Sequence, residues 1–341
     1  MAADTAFATY GADDNGLICG YRFEPGEAGR PIGLTEALDQ PLDTDRGSAG
    51  FTWLHFNLSH ARAELWLLAN ARLPEDFHGA LREDSRASRI HRDGDSLFAV
   101  LNDVTFDFSY DAADMSTLWV SARRDLLVSA RRHPLRSVDR LRSAVKRGDR
   151  FDSAVELLDH LLRDQADELQ HIVRRAGERV DRIEDELLVR LAPRHAAELS
   201  QLRRLTVRLV RLMSPEPGAL QRLLSNPPSW MHGADAQRLR EAGDDFGIAL
   251  RDTASLQERI RALQDEAASR VGEENNRSLF LLTMVTVLAL PINLTAGLMG
   301  MNVGGIPLAD HPSGFWILVL LIGAFTSAIA WLGWRRMARR H

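Results

Sequence analysis

Few side chains in this sequence are placed where they could do chemistry, and the most suggestive are three asparagines, Asn276, Asn293 and Asn302. They lie within or beside a stretch, residues 278–301, that holds no charged residue. A polar side chain in or next to so apolar a run faces protein or water rather than hydrocarbon. The amide oxygen of Asn302 can accept hydrogen bonds from the waters of a hydrated ion, without the full charge that would hold a divalent ion too tightly to leave. Asn302 also follows Gly300 and Met301 where a helix would end, and asparagine tolerates left-handed backbone there, so helix termination is its plainer role. Asp310 and His311 put a carboxylate beside an imidazole nearby, a pair that an ordinary surface loop also explains.

Elsewhere the reactive side chains do not converge. His55, His60, His78, His91, His133, His160, His171, His195 and His232 are scattered, without the i, i+4 pair of a metalloprotease helix. Cys19 is the only cysteine, which excludes an internal disulfide and a cysteine-rich zinc site. Asp181, Glu184, Asp185 and Glu186 form an acidic cluster that reads first as a solvated helical face. No nucleophile elbow, phosphate loop or paired-carboxylate motif is present, so the chain is not expected to be an enzyme or to hold a cofactor.

The elements that position the asparagines are two apolar segments, 278–301 and 314–334, both free of charge. A helix of about 20 apolar residues crosses a hydrocarbon core of roughly 30 Å, so each segment is expected to span a membrane. Arg270 and Arg277 precede the first segment, and Arg335, Arg336, Arg339 and Arg340 follow the second. The connecting residues 302–313 contain no lysine or arginine, so the positive-inside rule places both termini in the cytoplasm and the loop outside. Trp316, Trp331 and Trp334 sit near the ends of the second segment, where indole rings favour the headgroup level. Two helices cannot enclose an aqueous path, because a pore must be lined on all sides. A conducting assembly therefore needs several copies.

An apolar span ending in Gly300-Met301-Asn302, a short outer loop, a second span and a basic tail together resemble the CorA-type metal-ion transporters. Gly304-Gly305-Ile306-Pro307, directly after the motif, is similar to the zinc-transporting ZntB branch, and no acidic residue precedes Asp310 in the loop. The resemblance implies a CorA-like funnel in a bacterial inner membrane. It would comprise an α/β cytoplasmic domain, a long helical stalk and two C-terminal transmembrane helices per chain, assembled as a homopentamer. It implies that Gly300, Met301 and Asn302 form the outer selectivity ring. Asn276, Leu279, Leu282, Leu290, Asn293 and Gly297 then occupy pore-facing positions. The cargo it implies is zinc, with cobalt, nickel, cadmium or magnesium as competitors, taken up with a possible link to a proton gradient. Neither span contains an ionisable residue that could relay that proton. Two other readings are a magnesium or cobalt channel of the same architecture and a membrane-anchored coiled-coil scaffold.

The remaining chain divides by composition. Residues 1–132 read as an α/β domain, with strands at 17–23, 51–58, 96–108, 116–122 and 125–130 and helices at 62–71 and 74–83. Residues 133–233 read as helical, with a break at Pro193, a turn at 214–218 and a stop at 226–229. From 234 to 277 a stalk helix leads to the first span (278–301), the outer loop (302–313), the second span (314–334) and the basic tail (335–341). Leu256, Ile260, Leu263, Ala267 and Val271 form a seam at spacings of three and four, able to meet either other copies or the preceding helices. The 341 residues carry a net charge of -5, mixed in sign along the soluble part, which shows no nucleic-acid footprint. The N-terminal residues lack the basic and apolar regions of a signal peptide.

Overall fold

The computed structural model describes residues 11–39, 50–70, 73–84, 86–189, 193–301 and 311–338. The chain divides into two compact units, Met1–Gln264 and Asp265–His341. In the first, a seven-stranded sheet has the order β2-β1-β3-β7-β6-β5-β4. Its strands are β1 (Leu17–Phe23), β2 (Arg30–Pro31), β3 (Phe51–Asn57), β4 (Arg89–Asp93), β5 (Ser96–Val104), β6 (Met115–Ala122) and β7 (Leu126–Arg131). Only β3 and β7 pair in parallel; the other neighbours are antiparallel.

Both faces of the sheet are covered, which is why its central strands read as nearly continuous apolar runs. Alternation sorts the side chains. Phe51 and Trp53 of β3, Leu97, Ala99 and Leu101 of β5, and Leu118 and Val120 of β6 enter one core. That core is completed by α4 (Arg136–Arg147), α5 (Ala154–Val189), α7 (Pro215–Ser225) and the first turns of α8 (Gly233–Met299). Leu54, Phe56, Phe98, Val100 and Trp119 enter the opposite core, against α1 (Leu34–Asp39), α2 (Ala61–Asn70) and α3 (Glu75–Arg82).

Helix α6 (Pro193–Met213) joins α5 and α8 in a third cluster that contains Leu169, Ile172, Leu205, Leu209, Phe246 and Ala249. Along α8, Asp235, Leu239, Ala242, Phe246, Ala249, Thr253, Leu256, Ile260 and Leu263 are buried. Their spacing alternates between four and three, the heptad signature of helices that cross at a shallow left-handed angle. Up to Leu263 the chain therefore buries this seam against its own helices. Arg238 with Glu156 (2.8 Å), Arg163 with Asp245 (3.6 Å) and Arg259 with Asp181 (2.6 Å) pair in the same order along α5 and α8, so the two run parallel.

Several expectations need correction. The strand expected at 96–108 ends at Val104, and Thr105 leaves the ladder. The turn expected at 214–218 is instead the first turn of α7, because proline is tolerated where a helix N–H has no partner anyway. The break expected at Pro193 does separate two helices, α5 ending at Val189 and α6 starting at Pro193. Strands β2 and β4 and helix α1 lie outside the sequence reading. β2 has two residues, and β4 (RIHRD) is a charged, half-exposed edge without apolar alternation.

Gly148 ends α4 with φ +92°, its N–H turning back on Ala144 and Val145. A Cβ there meets only Ala28 at 4.0 Å, so strain rather than collision sets the cost of substitution. Gly148→Ala is expected to destabilise the full-length protein in detergent by about 1 kcal/mol, read as a lower denaturant midpoint at unchanged slope.

In the second unit, residues 265–299 continue α8, and its uncharged part from Ser278 to Met299 is apolar and long enough to cross a membrane. Helix α9 (Gly314–Ala338) comes next, with an apolar portion at Gly314–Ile329. Arg335 lies 4.9 Å over the Trp331 ring near its end.

Candidate functional site: the apolar face of α8

The uncharged end of α8 presents two different faces. Its half-buried positions are mainly Met284, Leu288, Pro291, Thr295 and Met299, spaced by three and four. Laid out at about 100° per residue, they occupy an arc of roughly 80°. Asn276, Leu279, Leu282, Leu290, Asn293, Gly297, Gly300 and Met301 are all exposed, Leu282 at 71%. They fall within an arc of about 120°, centred roughly 160° from the half-buried stripe. The residues singled out from sequence thus share one exposed helical face, although Phe280, Leu281, Val285, Ile292 and Leu298 on the other sides are exposed too.

Thr283, Thr286 and Leu294 lie on the same arc and are also exposed. Thr283 and Leu294 each stand four residues after a selected leucine. The threonines donate to carbonyls one turn back, Thr283 to Leu279 (2.8 Å) and Thr286 to Leu282 (2.9 Å). Their hydroxyl oxygens keep lone pairs for water. Pro291 lacks an N–H, so the carbonyl of Val287 loses its usual donor. The carbonyl of Pro291 itself accepts from the Thr295 hydroxyl at 2.7 Å.

The helix closes at the motif. Gly300 N–H donates to Ala296 O at 3.0 Å, and Met301 N–H reaches Leu298 O at 3.4 Å. Asn302 and Asp310 lie outside the described residues. His311 accepts from the Ser313 N–H through Nδ1 at 3.2 Å, and its carbonyl receives the Gly314 N–H at 2.9 Å. It tethers the start of α9, which leaves only Nε2 for any ligand.

His55 and three of the four acidic-cluster residues are engaged. His55 is wholly buried, its Nδ1 2.8 Å from Ser129 Oγ and its Nε2 accepting from Arg131 Nε at 3.1 Å. Burial first, then the nearby Arg131 and Arg142 charges, hold it well below the usual histidine range. It is neutral and has no nitrogen to offer a metal. Within the acidic cluster, Asp181 and Glu184 pair with Arg259, and Glu186 binds His195 (2.8 Å) and Arg194 (2.7 Å). Among the described residues, no group of three or more His, Cys, Asp or Glu could hold a metal ion. A cleft of about 620 Å³ between α4 and α5 is lined by Arg136, Arg140, Arg147, His160, Asp164 and Glu168. Its charges neutralise one another: Arg136 and Arg140 both bind Glu168, and Arg147 binds Asp149.

The model of the CorA-like Mg2+ transporter protein family matches residues 48–336. The chain is 30% identical to the divalent cation transporter CmaX of Pseudomonas aeruginosa, over 95% of this chain and 97% of that one. It is 24% identical to the zinc transport protein ZntB of Pectobacterium carotovorum, over 96% and 97% of the two chains. The structure of full-length CmaX superposes with a TM-score of 0.76 at 29% identity, covering 96% of this chain and 98% of that one. On these grounds the chain belongs to the CorA-like Mg2+ transporter family.

Proposed function

We propose that copies of this chain, most simply five, assemble in the bacterial inner membrane into a channel for divalent cations. The exposed arc of α8 faces the shared axis and Asn302 rings the outer mouth. The supporting observation is that the uncharged α8 segment gathers Asn276, Asn293, Gly297 and Gly300 with three leucines on one exposed arc. A single copy has no second wall for a wet path, so other copies must supply it. Arg270 and Arg277 before the first span, and Arg335, Arg336, Arg339 and Arg340 after the second, keep both termini in the cytoplasm, and residues 302–313 lie outside.

Zinc is the preferred cargo. The loop after Met301 carries no acidic residue before Asp310, so it attracts a hydrated divalent ion only weakly, as the resemblance of Gly304-Gly305-Ile306-Pro307 to the zinc branch implies. A negative interior potential, worth about 2.3 kcal/mol per charge per 100 mV, drives a divalent ion inward even without a coupled proton. A magnesium channel is the second reading, favoured by the family description.

Purified protein in proteoliposomes tests both readings. Zinc influx is expected to exceed magnesium influx, and a pH gradient across the vesicle reports any proton link. Strong magnesium flux with negligible zinc flux would overturn the zinc assignment. A monomer in lipid without flux of either ion would overturn the channel.

A further inference from the structure

The first unit contains a carboxyl group, Glu216, that is 1% exposed, in the opening turn of α7. β4 ends at Arg89, opposite Val100, so the backbone of Asn102 on β5 runs past the end of its neighbour. Side chains fill that gap. Glu216 Oε1 accepts the Asn102 N–H at 2.9 Å, and Gln165 Nε2 donates to Asn102 O at 2.6 Å and to Glu216 Oε2 at 3.1 Å.

Ser88 has more acceptors within reach than it has protons to give. The side-chain amide nitrogen of Asn102 donates to Arg86 O and to Ser88 Oγ, each at 2.8 Å. Ser88 Oγ also lies 2.6 Å from Leu212 O and 2.8 Å from Glu216 Oε1. A hydroxyl has one proton to give, and a backbone carbonyl can only accept. If Ser88 donates to Leu212, the contact with Glu216 holds only when Glu216 is the donor. We propose that Glu216 carries a proton in the folded protein and that this proton fastens α7 to the open end of β5, as a latch that weakens as pH rises.

The surroundings agree. Burial pushes the Glu216 carboxyl up to about 8, against the lowering effect of its hydrogen-bond contacts with Asn102, Ser88 and Gln165. The positive end of α7 favours the anion but is the smaller influence in so dry a site. From β5, Asp103 acts in the same direction as burial. From α5, Glu168 is neutralised by Arg136 and Arg140 of α4. Arg89 of β4, and Arg208 and Arg211 of α6, form no ion pair with Glu216 among the described residues. The segment after α7 is pinned to the same β4–β5 hairpin: Ser229 donates to Asp95 Oδ1 at 2.9 Å, and Trp230 Nε1 donates to Asp95 O at 2.6 Å. The latch therefore sits in the stretch of chain that leads directly into α8.

Proton linkage sets the sign. With α7 detached, Glu216 returns to its ordinary value of 4.5. The latch is at full strength below that pH, weakens up to about pH 8, and levels off above it. Hydrogen exchange of the α7 amides in the full-length protein tests this, with wild type and Glu216→Gln compared at each pH. The variant is neutral throughout, so the wild-type to variant opening ratio is expected to rise at least tenfold between about pH 5 and about pH 8. A flat ratio would overturn the proposal. Infrared spectra of wild type with carboxyl-labelled glutamate give a second readout that needs no variant. A protonated glutamate band at about pH 7, lost with a midpoint near pH 8, is expected. Absence of that band at pH 7 would equally overturn it.

Discussion

Asn302→Ala is expected to reduce divalent-metal flux in proteoliposomes by roughly tenfold to a hundredfold, with assembly and thermal stability unchanged. In the proposed channel, the Asn302 amide accepts hydrogen bonds from the water shell of the incoming ion, whose charge strengthens them. Such bonds are worth about 1.5–3 kcal/mol each, and every 1.4 kcal/mol is a factor of ten. Alanine offers no acceptor, so the ion must shed water or enter unassisted, and dehydration of a small divalent cation is costly. Asn302→Asp restores an acceptor but adds full charge. It should bind metal more tightly at the mouth and release it more slowly, so flux falls while apparent affinity rises. Unchanged flux in a well-folded, assembled Asn302→Ala protein would remove the residue from the conduction path.

The largest stability effect is expected at Glu168. Its side chain is 2% exposed, and both oxygens are held at 2.5 Å, one by Arg136 and the other by Arg140. Removing both arginines as Arg136→Ala/Arg140→Ala strands a buried carboxylate, which costs about 3–5 kcal/mol where a buried pair is broken. The lower end applies, because the arginines are 29% and 45% exposed and their attraction is partly screened. Denaturant titration of the wild type and the double variant checks this. A deficit below about 1 kcal/mol would show that the pair is not balancing a buried charge.

Much of the fold is legible in residue order. β1 matches its expected range, and β3, β6 and β7 agree within a residue at their ends, because an apolar run bounded by turn residues is a local signal. The β4 edge is not, since Arg89, Arg92 and Asp93 carry the same charge pattern as a loop, and only pairing with β5 makes them a strand. The proline-rich start of α7 misleads for a related reason. Proline marks both turns and helix starts, and the packing of the residues after it decides between them.

What the sequence determined by itself is periodic or compositional: two uncharged segments, the basic residues that flank them, the motif at 300–302 and the regular seam of α8. These arise from spacing along one chain, which a helix converts directly into a face. The tertiary structure decided which partner each face and each buried charge receives. It placed Ser88 and Gln165 around Glu216, set two arginines on Glu168, and buried the α8 seam from Leu239 to Leu263 against the preceding helices. Ser88 and Glu216 stand 128 residues apart. No local pattern encodes such a pairing, because it exists only once the sheet and helices have packed and excluded the water that would otherwise solvate the charge.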